Sequence, residues 1–185
     1  MIELTKYRDV IGFDFRNRDE VIEYDSGAKF PVLRNLFGSN RIPPTGLLSG
    51  LYCRLESLNE TIQSHGYENG LKVAIATDNF PKFAKEVLDE RKIDMTRAEF
   101  AEHIKCDPIK IDDNWRLVGL DIVDGWLNPI GWHLIPDLAS KLGIPGFHWG
   151  LLPTEQIAQK AFEIADRIYE NRAPLFICAI YEVFE

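Results

Sequence analysis

Histidine and aspartate are the side chains best able to bind a metal or move a proton near neutral pH. Residues 112–153 concentrate them. His133 and His148 stand there with Asp121, Asp124 and Asp137, together with all four tryptophans (Trp115, Trp126, Trp132 and Trp149) and six of the thirteen glycines. Three readings fit. Imidazoles and carboxylates form a metal-ligand or general acid–base set, which would make the chain a small hydrolase or metal-dependent enzyme using Asp121, Asp124, His133 and His148. Against it, the fourteen residues between the histidines match no ligand spacing, and no HxH, HxxxH or HExxH occurs. Tryptophans on loops beside acids are also the composition of a protein-recognition surface, with aromatic anchors and electrostatic selectivity. In the third reading the cluster is plain structure: tryptophans fill gaps between a sheet edge and a helix, and glycines let the backbone turn.

Two aspartates pose a sharper question. In "WRLVGLDIVD" one alternating face reads Val118, Leu120, Ile122 and the other Trp115, Leu117, Gly119, Asp121, Val123. Both are mostly apolar, so the strand is expected to be covered on both sides. A carboxylate there must accept a hydrogen bond or pair with a cation, or its pKa rises. A structural bond to a backbone N–H or an arginine is the expectation; a poised acid in a site is the alternative. Asp14 in "IGFDFRN" raises the same question. In contrast, "IDDNW" places Asp112 and Asp113 in a turn beside Trp115, either as a solvated turn or as carboxylates placed to meet a basic partner.

Other chemistries find no support. There is no GxSxG elbow, and the Gly-flanked "GSNRIPPTG" lacks the Walker lysine and a preceding strand. Cys53, Cys106 and Cys178 show no CxxC spacing, which argues against a disulfide framework and a zinc knuckle, so no metal or cofactor is expected. Asp78, closing "VAIATD", sits where open sheets place functional groups, although capping the next helix is its commoner use. A net charge of −8 and a pI near 5.1 oppose nucleic-acid binding, which needs clustered Lys and Arg, and permit a basic protein partner. No apolar run reaches the ~18 residues a membrane helix needs. The N-terminus lacks a signal-peptide pattern, and with the cysteine usage this points to the cytoplasm.

These residues must be positioned by regular elements. At 185 residues and 45% hydrophobic, one globular domain over 1–185 is expected. "DVIGFDFRNRDEVIEYDSG" reads as two strands with Asn17–Asp19 as their turn, followed by a loop through residue 46. Leu47, Leu48, Leu51, Tyr52, Leu55, Leu58 and Ile62 recur at helical spacing, predicting a helix from Thr45 to Gly66. A strand over 70–78 leads into an amphipathic helix capped by Asp78 or Asn79. A short helix is expected at "TRAEFAEHI", then strand–turn–strand over 107–126, with Asp124-Gly125 as a hairpin turn into an edge strand bearing Pro129. A helix from Thr154 to about Asn171 and the unbroken apolar run "PLFICAIYEVF", a central strand, close the chain. The fold class is therefore α+β: a mixed, mainly antiparallel sheet with three or four helices packed on it.

The segment "NWRLVGLDIVDGWLNPIGW", followed by a Gly- and aromatic-rich loop, resembles small acidic immunity proteins of bacterial toxin–immunity systems, including those of contact-dependent growth inhibition. The resemblance spans about twenty residues and transfers no residue role. It implies a cytoplasmic protein that blocks one cognate toxin domain without catalysis. The expectation is a specific protein-binding module with its contact surface at Asp112, Asp113, Trp115, Asp124, Trp126, Trp132, His133, His148 and Trp149, a basic protein as partner, and the small enzyme as alternative.

Overall fold

Strands that are apolar on both faces need neighbours on both edges and cover on both sides. A computed structural model describes residues 6–23, 27, 29–35, 47–48, 51–90, 107–124, 148–169 and 174–184 and shows how this is met. β1 (Asp9–Glu23) is the spine. Along one edge it pairs with β5 (Gly70–Thr77). Along the other it meets, in turn, β6 (Ile109–Lys110), β4 (Leu51–Tyr52) and β2 (Lys29–Asn35). β8 (Phe176–Glu182) lies between β5 and β7 (Arg116–Val123), which accounts for its unbroken apolar sequence. A two-residue β3 (Leu47–Leu48) flanks β4, giving the order β3-β4-β1-β5-β8-β7, and every described pairing is antiparallel.

Helices cover both faces. On one, α1 (Leu55–His65) and α3 (Glu155–Ile168) bury Leu58, Ala158, Ala161 and Ala165 against Phe13, Phe15, Ala74 and Leu120. On the other, α2 (Phe80–Glu90) buries Phe80, Phe83 and Ala84 near Ile75, Cys178 and Phe176. The fold is α+β, as its sequence implies. Among the described residues no helix is long and apolar enough to cross a membrane.

The sheet is strongly coiled toward the α2 face. Arg16 of β1 contacts Asp121 of β7 at 3.3 Å, although the two strands stand three places apart. Strand backbones that far apart in a flat sheet stand about 14 Å from one another, and coiling of the sheet shortens the reach the two side chains must make. Leu120 and Leu152 exchange backbone hydrogen bonds of 2.9 and 2.7 Å, adding a further extended segment beyond β7. The 3₁₀ turn His148–Gly150 just before it packs on β2. The ring of contacts therefore runs from β2 through β1, β5, β8 and β7 back to β2. Gly119 permits the closure: a Cβ there would lie 2.8 Å from Leu151 Cβ.

Two local expectations are corrected, and the choice between two expected caps is resolved. Asn17–Asp19 is a bulge inside one fifteen-residue strand, with Asn17 Oδ1 accepting from the Asp19 N–H at 3.0 Å, and the return strand is Lys29–Asn35. Leu47, Leu48, Leu51 and Tyr52 form short strands, and α1 begins only at Leu55. Tyr52 pairs with Phe13, and Leu51 crosses so close to Gly12 that an added Cβ would sit 3.0 Å from Leu51 Cβ. Sheet pairing thus overrides the helical spacing. Asn79, and not Asp78, caps α2 through its side chain, accepting from the Lys82 N–H at 3.0 Å. The "TRAEFAEHI" helix, the Asp124-Gly125 hairpin and the Pro129 strand lie outside the described residues.

Candidate functional site

The turn between β6 and β7 is built to hold two carboxylates outward. Asp112 accepts twice from within the turn, through Oδ1 from the Asn114 N–H at 2.9 Å and through its carbonyl from the Trp115 N–H at 3.0 Å. One step earlier, the Ile111 N–H donates to the Arg8 carbonyl at 3.0 Å and ties the turn to the start of β1. Arg8 Nη2 then donates to both the Ile111 carbonyl (3.1 Å) and Asp113 Oδ1 (2.7 Å). The Asp113 side chain remains 91% exposed, so this pair orients the carboxylate without removing it from water. Trp115 is half-buried and packs edge-on to Phe13, with ring centroids 6.0 Å apart.

The strip 107–116 is acidic in balance. Lys110 is paired with Asp9 and Arg116 with Glu182. Asp107 and Asp112 are exposed and make no ion pair among the described residues. Beside them Ile109 is an exposed apolar side chain.

A second surface feature is the His148–Trp149 pair. Trp149 has φ 54° and ψ 23°, the only positive φ at a non-glycine among the described residues. Such a conformation costs of order 1–3 kcal/mol and persists only where surrounding contacts enforce it. Here the half-buried indole packs on the Leu33–Leu151 cluster, and the exposed His148 ring lies 4.2 Å from it.

The buried acids belong to the interior of the coil. Asp14 Oδ1 accepts from the Phe15 N–H at 2.7 Å, and Oδ2 accepts from Arg16 Nε at 3.1 Å. Asp121 Oδ1 accepts from the Ile122 N–H at 2.8 Å, while Oδ2 meets Arg16 Nη1 at 3.3 Å. Asp121 thus has both of the structural partners expected for it, a backbone N–H and an arginine. The Arg16 guanidinium is wholly buried, and its Nη2 makes no hydrogen bond among the described residues. Burial pushes the Asp14 carboxyl up to about 6, with Arg16 opposing that rise. Cys178, opposite Asp121 in the sheet, is likewise pushed up by burial and is no thiolate nucleophile.

The residues expected at the contact surface therefore separate. Asp112, Asp113 and His148 are exposed, and Trp115 and Trp149 are half-buried. Asp124 is 1% exposed and belongs to the interior. Trp126, Trp132, His133 and Asp137 lie outside the described residues. Of the enzyme set, Asp121 and Asp124 are buried while His148 is at the surface. Among the described residues no three His, Cys, Asp or Glu side chains gather as a metal site. Arg16, outside the expected site residues, alternates with Asp14 on the face of β1 opposite Phe13 and Phe15, and that two-residue spacing marks the pair.

No protein-family model, no curated protein and no solved structure matches the chain.

Proposed function

We propose that this chain is a specific protein-binding module of the immunity type, which binds and blocks a basic partner, a toxin domain, without catalysis. The observation that supports it is the preorganised acidic turn. Backbone bonds, Arg8 and the Trp115–Phe13 contact fix Asp112 and Asp113 in the outward position. A partner docking there spends little free energy on ordering the loop. Carboxylates held in the open also steer a basic surface during encounter and discriminate against acidic ones. The exposed Ile109 supplies apolar area beside them, and His148 with Trp149 forms the second contact. The net charge of −8 has the sign such an encounter needs.

The test is a pull-down from native lysate with the tagged chain, washed at low salt and at roughly 0.5 M salt, where surface attraction is screened. One stoichiometric basic protein, loosened by salt and inhibited in a toxicity assay by the purified chain, is the expected result. The Asp112→Lys/Asp113→Lys double variant should lose it. Equal retention by that variant, or retention of no basic protein, overturns the reading.

A further inference from the structure

Residues 148–152 close the coil with few bonds. The pairing of Leu120 with Leu152 is an isolated bridge: two backbone hydrogen bonds, with no further pair on either side among the described residues. By contrast β8 is held by ladders of four pairs to β5 and seven to β7. Around the bridge, Leu151 turns inward against Gly119, and the turn before it packs on β2.

Two features work against this closure. Trp149 and Gly150 are consecutive residues with left-handed backbone, at φ 54° and 72°. Glycine adopts that conformation freely, whereas a tryptophan is strained by it. The second feature lies in the interior. Asp121 shares a face of β7 with Gly119, and it holds Arg16, whose buried Nη2 has no hydrogen-bond partner among the described residues. A buried donor left unsatisfied favours any state that admits water to it. In favour of closure stands the burial of Leu151 and Leu152, at 4% and 0% exposed.

We propose that residues 148–152 are a clasp, which opens and recloses as a unit while the sheet stays folded. Closed is the dominant form, because it buries two leucines. Opening breaks the two bridge bonds, relaxes the Trp149 backbone and bares the Leu120 edge of β7. It spares the ladders of β5, β8 and β7, so it costs less than global unfolding. The clasp does not depend on the protein-binding reading, since it concerns what holds His148 and Trp149 in place with no partner bound.

The test is native-state hydrogen exchange of the full chain, followed by NMR in rising urea below the unfolding transition. The Leu120 N–H donates to the Leu152 carbonyl and the Leu152 N–H to the Leu120 carbonyl, so these two amides report the clasp. They should exchange at least about tenfold faster than the best-protected amides of β5 and β8, and almost independently of urea, because local opening exposes little surface. Protection equal to that of β5 and β8, with the same steep urea dependence, overturns the proposal. A pair of variants tests the strain. Trp149→Ala and Trp149→Gly both lack the indole, and only glycine accepts the left-handed backbone without strain. The Leu152 amide should be about fivefold better protected in Trp149→Gly than in Trp149→Ala. Equal protection in the two variants would also overturn it.

Discussion

Arg16 is a cation without solvent, held by Asp14 on its own strand and by Asp121 across the coil. Truncating it leaves two carboxylates in an apolar interior. Arg16→Met should therefore cost about 3–5 kcal/mol in urea unfolding. Replacing all three charges by apolar residues of similar size should cost less than that single change, because no uncompensated charge remains. A triple variant weaker than Arg16→Met would show that the cluster contributes net stability. Asp14 makes a separate prediction in pH. Its folded pKa of about 6 lies above the ordinary 3.8, so the native chain binds that proton more tightly than the unfolded one. Its contribution is fully present below the ordinary value and is lost as pH rises through about 6. Between pH 4 and 6 stability should fall relative to Asp14→Asn by on the order of 3 kcal/mol in all. A parent–variant difference that stays constant with pH contradicts this. The need for a partner at Asp121 was legible in the sequence, because both faces of its strand are mostly apolar, and Asp14 between Phe13 and Phe15 raised the same question. The identity of the shared cation was not legible, since Arg16 and Asp121 lie 105 positions apart and meet across the coiled sheet.

At the scale of elements, the segments whose hydrophobic pattern allowed one answer were read correctly. β5, α2, β7, α3 and β8 fall where periodicity and caps place them. α3 starts at Thr154, whose hydroxyl accepts from the Ile157 N–H at 3.2 Å. Thr154→Ala should lower stability by about 1 kcal/mol, measured by thermal or denaturant unfolding. Elsewhere a tertiary contact outweighs a local pattern. Leu47 to Tyr52 carry helical spacing, yet Tyr52 is claimed by Phe13 of β1. Asn17–Asp19 has turn chemistry, yet β1 continues through it because β2 pairs along the far half. The exposed turn at Asp112 and Asp113 was legible because Asp and Asn can bond their own backbone. Gly119 marks another close approach, 2.8 Å from an added Cβ to Leu151 Cβ. Gly119→Val pushes a branched side chain into Leu151 and should cost at least about 1–3 kcal/mol. The same change at the exposed Gly27, which has no atoms within 4 Å of an added Cβ, tests only the strain of its positive φ.

At the scale of the molecule, charge is divided between two compartments. The interior holds Asp14 and Asp121 against one arginine, and the surface carries most of the excess behind the net −8. Changing Asp112 and Asp113 to lysine alters that excess without touching the core. Stability should fall by about 1 kcal/mol, because the Asp112 bond to the Asn114 N–H and the Asp113–Arg8 pair are lost while the core stays intact. The association rate with a basic partner should fall and lose most of its dependence on salt. An unchanged rate would place the encounter surface elsewhere.

The position of β8 governs how the chain can be assembled during synthesis. Among the described strands it is the last to leave the ribosome, yet it sits between β5 and β7. Until Phe176–Glu182 emerges, β5 and β7 each present an unpaired apolar edge to solvent or to any other nascent chain. Chains stalled short of residue 176 should accordingly be captured by chaperones or aggregate, and those released after residue 184 should become protease-resistant in one step. Partial proteolysis of arrested ribosome complexes would show a single threshold at β8, and a gradual gain of protection across the earlier strands would contradict it.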